Sequence, residues 1–334
     1  MLGLEECPSH SAAAMSDGSL GVPDLWSADA PWFEARVGLY ASRGTSGCCP
    51  VAIAMYTRYA TSGHRCCSSR LAALHRLRPR HSRLLPVLNA SVVVVGDSLA
   101  EQLYISALCL GWLHRVDLKL RMERSGGCET CVGTTWVAEL PAWGSVFRYI
   151  RASVGLPHSR HLAEASVVLH GFGPNNDGHK QNKPRPQHIV NSVLERYDEV
   201  RKHRRPARVV FAEEMAQHWP GGVYVGQGAD AYPPSENVCV QHAQPNGSNA
   251  YPFELNRALH EAIASRTGQG FAVLPLEALT RSRGDAHIGP LLPTPPAGVE
   301  GRDCLHWCIA PGITDALGYA VLSILAQVAA ERPA

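Results

Sequence analysis

The pattern of apolar positions changes sharply at residue 91, where a run of β-branched residues begins. Residues 91–95 read SVVVV, a continuous apolar run that is typical of a strand buried on both faces. Gly96 interrupts the run, and a helical pattern follows it. The sequence therefore predicts a strand, a tight turn and a helix in direct succession.

Further apolar runs downstream alternate with helical patterns. Strands are predicted at Ser166–Leu169, Arg208–Ala212 and Phe271–Leu274, and helices around Gln187–Lys202, Phe253–Arg266 and Thr314–Ala330. Strands that alternate with helices indicate an α/β fold with a parallel sheet. The loops that follow parallel strands gather at the carboxyl edge of the sheet and form the site. Loops of this kind are predicted at Gly96–Ser98, Gly171–Asp177 and Glu213–Trp219.

Residues 1–85 lack this periodicity. They are rich in Ser, Gly, Ala and Arg and contain a basic stretch from His64 to Arg83, which predicts a variable, loop-rich N-terminal extension. Residues 86–334 are predicted to form the α/β domain. The N-terminus shows no basic stretch followed by an apolar core, so no signal peptide or membrane anchor is visible. Membrane association is therefore expected only if the N-terminus is incomplete.

Composition and charge narrow the classes of partner. The 334 residues include 31 basic and 29 acidic side chains, which leaves a formal net charge of +2. Because no large uniform field results, nucleic acid is not expected as a partner. The basic run at residues 201–205 is expected to stabilise the C-terminal end of a helix instead.

The chain has 11 cysteines, a number that is compatible with disulfides and an oxidising compartment. Cys128 and Cys131 form a CxxC pair, and Cys304 and Cys308 lie close together. No second CxxC or HxxxH motif lies at a suitable spacing for a zinc site, so no metal site is predicted.

Ser98 occupies the position where a nucleophilic serine is most useful. It follows a buried strand and begins a helix, whose free N–H groups and positive dipole end stabilise an oxyanion. A structural interpretation also fits, because Asp97 or Ser98 at such a junction is an ordinary helix N-cap. The turn alone does not decide between the two.

A serine nucleophile needs a base, and the segment GRDCLHWC supplies one near the end of the chain. Asp303 and His306 are three residues apart, so one loop or helical turn is expected to place both beside the sheet edge. His306 would take the proton of Ser98, and Asp303 would orient the imidazole. The alternative is a surface loop tied down by Cys304 and Cys308, and both interpretations can hold together.

Asp285 and His287 form a second acidic and imidazole pair, with a spacing of two. In an extended loop this spacing puts both side chains on the same side, so geometry alone permits this pair as well. His218 could line the pocket, although an isolated histidine beside a tryptophan is more often structural. Asp97, Asn176, His218, Asp285 and His287 are the weaker candidates for substrate binding.

The two runs VVVVGDSLAEQL and DCLHWCIAPG resemble the two ends of the PC-esterase group of SGNH hydrolases. This group includes the trichome-birefringence-like glycan O-acetyltransferases and similar algal proteins. The internal segments EEMAQHWP and DAHIG are also similar, and the resemblance covers roughly Val92–Leu317. It favours Asp303 and His306 over the second pair. It implies an SGNH-hydrolase-like, flavodoxin-like fold with three α/β/α layers and a parallel sheet of about five strands.

The same resemblance implies an oxyanion hole. Its donors would be the N–H of Ser98, the N–H of Gly173 and the side chain of Asn175, with Asn176 as the neighbouring alternative. These residues would also form an ordinary turn. A second glycine donor could be Gly126, Gly127 or Gly133.

The expected function is transfer of acyl groups, with acetyl as the expected group, to or from carbohydrate hydroxyls through a Ser98 acyl-enzyme. The partners are then an acyl donor and a carbohydrate acceptor, and no cofactor is implied. The resemblance implies the Golgi or the secretory pathway as location. The alternatives are a GDSL-type lipid or small-ester hydrolase and a catalytically inactive glycan-binding protein.

Overall fold

A computed structural model gives the fold. It describes residues 89–113, 119–124, 131–152, 162, 164–172, 185–202, 208–219, 239–240, 242–245, 247–266, 270–284, 287–290, 302–307 and 313–330. The proposed N-terminal extension, residues 1–85, lies outside these ranges, so the domain boundary stays a prediction.

The main sheet of the described residues has seven strands. In chain order they are β1 (Ser91–Gly96), β2 (Lys119–Arg124), β3 (Cys131–Leu140), β4 (Ser145–Ala152), β5 (Val167–Gly171), β6 (Arg208–Ala212) and β7 (Phe271–Leu274). Their order across the sheet is β2-β3-β4-β1-β5-β6-β7. The five strands from β4 to β7 in this order are parallel to one another. The predicted parallel sheet of about five strands is therefore confirmed.

The sequence patterns did not predict β2, β3 and β4. The first two extend the sheet as antiparallel strands beyond β4. Their segments mix charged and apolar residues, as in KLRMER for β2. Antiparallel strands at a sheet edge can be solvated on one face, so they lack the continuous apolar run that marked β1.

The longer helices cover both faces of this sheet. They are α1 (Ser98–Leu113), α2 (Pro186–Lys202), α3 (Ala250–Ala264) and α5 (Ile313–Ala330), and α4 (Glu277–Thr280) is a single turn. Alternate residues of β1 belong to different cores: Val92 and Val94 pack with α1 and α5, whereas Val93 and Val95 pack with α2 and α3. This two-residue period is that of a strand buried on both sides. The α/β/α architecture is therefore also confirmed.

Helix α5 lies unusually close to α1. A Cβ atom at Gly318 would lie 2.4 Å from the carbonyl oxygen of Ser106. Only glycine permits this approach of two helix backbones. The contact fixes the C-terminal helix against the helix that begins at Ser98.

A second, two-stranded antiparallel sheet is formed by β8 (His287–Pro290) and β9 (Arg302–Trp307). The disulfide between Cys239 and Cys304 links β9 to a segment 65 residues earlier in the chain. Cys304 is therefore not tied to Cys308, which lies outside the described residues. None of the helices in the described ranges is long and apolar enough to cross a membrane.

His170 is buried in β5 on the side of α2. Its Nδ1 lies 3.0 Å from the hydroxyl oxygen of Tyr197, and aromatic rings including Phe172 and Phe211 surround it. Burial lowers the pKa of His170 from 6.5 to about 3, because the charged imidazolium is not solvated there. The folded protein therefore keeps this ring neutral.

We expect this burial to make the protein less stable at acid pH. Below pH 6.5 the unfolded chain binds a proton at His170 that the folded chain does not bind until about pH 3. The free energy of unfolding therefore falls with decreasing pH, by about 2 kcal/mol between pH 6.5 and pH 5 for this group. Urea unfolding at both pH values measures it. His170→Asn should lose this part of the pH dependence, whereas His188→Asn, on the exposed side of α2, should keep it. An unchanged slope in His170→Asn would contradict the assignment.

Candidate active site

The turn between β1 and α1 places Ser98 at the carboxyl edge of the parallel strands. Gly96 ends β1 with a φ of 150°, a region that L side chains rarely adopt. The Oδ1 atom of Asp97 accepts a hydrogen bond from the N–H of Leu99 at 2.9 Å. Asp97 thus acts as the helix N-cap, and the hydroxyl of Ser98 is left to a different partner.

Tyr149 of β4 holds the other side of this turn. Its hydroxyl oxygen lies 2.8 Å from the carbonyl oxygen of Asp97 and 3.3 Å from that of Gly96. The hydroxyl donates to these carbonyls from beneath the turn in the neighbouring strand. Ser98 is therefore fixed by the end of β1, the cap and the tyrosine together.

The partner of Ser98 is His306, which is 208 residues later in the chain. The Oγ atom of Ser98 lies 2.7 Å from Nε2 of His306. The serine is 5% exposed, and the histidine is partly exposed. For the hydroxyl to donate to Nε2, the proton of the neutral imidazole must be on Nδ1. This is the geometry in which a histidine can remove the proton of a serine nucleophile.

Helix α1 also holds the strand that carries His306. The side-chain N–H of Gln102 donates to the carbonyl of Trp307 at 2.8 Å, and the N–H of Trp307 donates to Oε1 of Gln102 at 3.1 Å. The sequence analysis missed Gln102. A signal was present, because Gln102 is four residues after Ser98 and lies on the same face of the helix.

Asp303 and His306 both lie on β9, not on a loop or helical turn as expected. His287 pairs with Trp307 and Gly289 pairs with Asp303, with a register shift between these pairs. Between the paired positions β8 has one residue and β9 has three. Such an irregularity re-aims side chains along a strand. The role of Asp303 as the group that orients His306 stays a prediction.

The second histidine candidate, His287, does not contact Ser98 in the hydrogen bonds of the described residues. Its Nδ1 lies 3.0 Å from the carbonyl oxygen of His306, and its Nε2 lies 2.7 Å from Nδ1 of His218. Nε2 of His218 lies 3.0 Å from the carbonyl oxygen of Arg281. His218 is therefore not an isolated histidine, and both rings contact the backbone around the site.

The segment after β6, residues 213–219, is buried and held by many hydrogen bonds. The carboxylate of Glu213 accepts from the backbone N–H groups of Leu276 and Glu277, both at 2.8 Å. The side chain of Asn256 binds the backbone N–H and carbonyl of Glu214. The backbone N–H of His218 donates to the carbonyl of Cys304 at 3.2 Å. These hydrogen bonds hold residues 213–219 in place beside β9.

For several predicted site residues, a role at the site stays a prediction. Gly133 lies within β3, where the pairing with β4 shifts between Cys131 and Thr135. The remaining candidates lie outside the described residues: Gly126, Gly127, Gly173, Asn175, Asn176 and Asp285. The oxyanion hole beyond Ser98 therefore stays a prediction. In the described ranges, no three His, Cys, Asp or Glu side chains are grouped to bind a metal ion.

The chain is similar to known proteins over part of its length. Residues 175–322 match the PC-Esterase family, described as a GDSL/SGNH-like acyl-esterase family found in Pmr5 and Cas1p. The chain is 28% identical over 131 residues to protein trichome birefringence-like 13 of Arabidopsis thaliana. That match spans 35% of this chain and 27% of the Arabidopsis protein.

A comparison with solved structures finds a carbohydrate esterase family 2 enzyme with a carbohydrate-binding domain, from Corynascus thermopiles (Myceliophthora fergusii). It has a TM-score of 0.34 and 11% identity, over 71% of this chain and 66% of that one. The family match and the Arabidopsis relative agree with each other. Over residues 175–322, the chain is similar to the PC-Esterase family of GDSL/SGNH-like acyl esterases.

Proposed function

We propose that the protein is an acyl esterase or acyltransferase that uses Ser98 as nucleophile and acts on acetyl groups of carbohydrate hydroxyls. The observation that carries the proposal is the distance of 2.7 Å between Ser98 Oγ and His306 Nε2. This contact lies at the start of α1, at the carboxyl edge of the parallel strands. Such an edge is where ligands bind in open α/β sheets.

The first half of the reaction forms an acyl-enzyme. Nε2 of His306 removes the hydroxyl proton while Oγ of Ser98 attacks the acyl carbonyl carbon. The resulting oxyanion lies near the N-terminus of α1, where backbone N–H groups and the helix dipole stabilise negative charge. The carbon–oxygen bond to the leaving alcohol then breaks, and the imidazolium returns the proton to that oxygen.

The second half releases the acyl group. His306 removes a proton from water or from a sugar hydroxyl, and the oxygen of that group attacks the acyl carbon. Ser98 leaves with the proton from His306. Asp303 is proposed to stabilise the imidazolium, with Gly173 and Asn175 as further oxyanion donors. Hydrolysis and transfer thus differ only in the acceptor that reaches the acyl-enzyme.

The choice of a carbohydrate acceptor rests on the similarity of the GDS and DCLHWC segments to the glycan-modifying branch of the family. We propose the secretory pathway as the location. The disulfide between Cys239 and Cys304 supports an oxidising compartment.

Trapping the acyl-enzyme tests the proposal. The purified chain is mixed with an activated acetyl ester and quenched in acid, and intact mass and peptide mapping locate the acetyl group. We expect one acetyl group on Ser98, and no stable adduct in Ser98→Ala. Ser106→Ala is the matched control, since Ser106 is a buried serine of the same helix. Labelling elsewhere, or equal labelling in Ser98→Ala, would refute the nucleophile.

Adding an acceptor tests the substrate class. With an oligosaccharide present, we expect acetylated sugar to form at the expense of free acetate. If the acyl-enzyme forms but yields only acetate with every sugar offered, the protein is a hydrolase. If it accepts long-chain esters much better than acetyl esters, the lipid-hydrolase alternative is correct.

A further inference from the structure

Two buried histidines form a continuous hydrogen-bonded chain with the backbone of His306. In this histidine pair, Nδ1 of His218 lies 2.7 Å from Nε2 of His287. The other ring nitrogen of each histidine faces a backbone carbonyl oxygen. Nε2 of His218 lies 3.0 Å from the carbonyl oxygen of Arg281, and Nδ1 of His287 lies 3.0 Å from that of His306. The pair therefore connects the end of α4 to the residue that contacts Ser98.

The number of protons in this chain follows from the chemistry of its members. A carbonyl oxygen only accepts, so Nε2 of His218 and Nδ1 of His287 must each carry a proton. The contact between the two rings needs one further proton, on one of the two facing nitrogens. Three protons are required, and two neutral imidazoles carry two. Without the third proton, one of the three contacts would bring two lone pairs together.

The surroundings compensate for burying this charge. The two histidines are 0% and 4% exposed, and burial alone disfavours an imidazolium. Hydrogen bonds to a charged donor are shorter and stronger than neutral ones. The indole ring of Trp307 lies against the pair, with ring centroids 4.0 Å from His287 and 5.8 Å from His218. A tryptophan ring at such a distance attracts a cation.

We infer that His218 and His287 together hold one proton more than two neutral imidazoles, and that this charged pair positions His306 by binding its carbonyl oxygen. Both are positioning residues, because their hydrogen bonds among the described residues run to each other and to backbone carbonyl oxygens. Their effect on turnover rests on the proposed function of His306. The protonation of the two histidines does not depend on that proposed function.

Several charged side chains lie on the segments around the histidine pair. In the described segments 213–219 and 277–284 and in β9, the titratable or charged residues besides the pair are Glu213, Glu214, Glu277, Arg281, Arg283, Arg302, Asp303 and His306. The carboxylate of Glu213 is bound by His260 and two backbone N–H groups. The guanidinium of Arg281 is paired with Glu277, and Glu214 accepts from Gln217.

The proton count is measured directly by NMR of nitrogen-15-labelled histidine rings near neutral pH. The Ser98→Ala protein is used, so that turnover cannot affect the result. We expect three protonated nitrogens among the four of His218 and His287, whose signals are assigned with single His→Gln variants. Two neutral rings, with two protonated nitrogens in total, would overturn the inference. A missing acyl-enzyme would refute the proposed function and leave this count unaffected.

The positioning role is tested with two substitutions of the same histidine. The side-chain amide of Asn reaches the place of Nδ1, whereas that of Gln reaches the place of Nε2. We expect His287→Gln to lower kcat by about 10- to 100-fold with little change in KM, because His306 loses its support. His287→Asn should stay within about fivefold of the parent protein, since it can still donate to the His306 carbonyl.

The exposed His188→Asn is the matched control and should change neither kcat nor the ring signals. Equal losses in the Asn and Gln variants would refute the positioning role. If His287→Gln does not fold, as judged by circular dichroism, the proton count in Ser98→Ala decides by itself.

Discussion

Replacing His306 by alanine is expected to lower kcat for acetyl-ester turnover by about 10⁴-fold or more, with a smaller change in KM. The imidazole Nε2 lies 2.7 Å from Ser98 Oγ, and in the described residues it is the base placed to remove the hydroxyl proton. Ser98→Ala should cost a similar factor, since the two groups act in one step. Initial rates with an activated acetyl ester measure both.

The double variant Ser98→Ala/His306→Ala provides the sharper test. Residues that act as one unit are strongly non-additive, so the double variant should be about as slow as either single variant. His188→Ala, on the exposed side of α2, controls for the loss of a histidine elsewhere. Independent, multiplying losses in the double variant would mean that the serine and the histidine do not form one catalytic unit.

The strands that the sequence predicted are those with continuous apolar runs. β6 and β7 lie at their predicted bounds, Arg208–Ala212 and Phe271–Leu274. Continuous runs of β-branched and aromatic residues favour strands. β2 was missed because its segment KLRMER mixes charged and apolar residues instead of forming a continuous apolar run. Local pattern therefore located β1, β5, β6 and β7, and it missed β4 and the two antiparallel strands β2 and β3.

The sequence predicts a site residue where a local pattern or a family motif identifies its position. Ser98 follows the strongest strand signal, and the choice of His306 over His287 rested on family resemblance. The structure supplies what spacing cannot: the register shift between β8 and β9, and the pairing of Cys304 with Cys239. Eleven cysteines allow many pairings, so sequence alone does not choose among them. The contact between His218 and His287 spans 69 residues and has no local signal.

Replacing Gly171 by alanine is expected to destabilise the protein, by about 1–3 kcal/mol, because the first turn of α1 lies directly on the strand ends. A Cβ atom at Gly171 would lie 2.7 Å from the Cβ of Ala100. Gly96→Ala should cost more, about 3–6 kcal/mol, since a positive φ adds backbone strain to the overlap. Its Cβ would lie 2.6 Å from both the Ala100 Cβ and the Gly171 carbonyl oxygen. Urea unfolding measures both losses.

The substitution Ala100→Gly separates steric overlap with Ala100 from the other causes of the lost stability. Removing the Ala100 methyl group relieves the main overlap of Gly171→Ala, so this double variant should recover most of the lost stability, less about 1 kcal/mol for a helical glycine. The same change should not rescue Gly96→Ala, because the overlap with the Gly171 carbonyl and the φ of 150° remain. Rescue of both variants, or of neither, would show that α1 is not seated on the strand ends by these contacts. Since Ser98 begins α1, the same contacts determine where the nucleophile lies, and Gly171→Ala should regain activity along with stability when Ala100 becomes glycine.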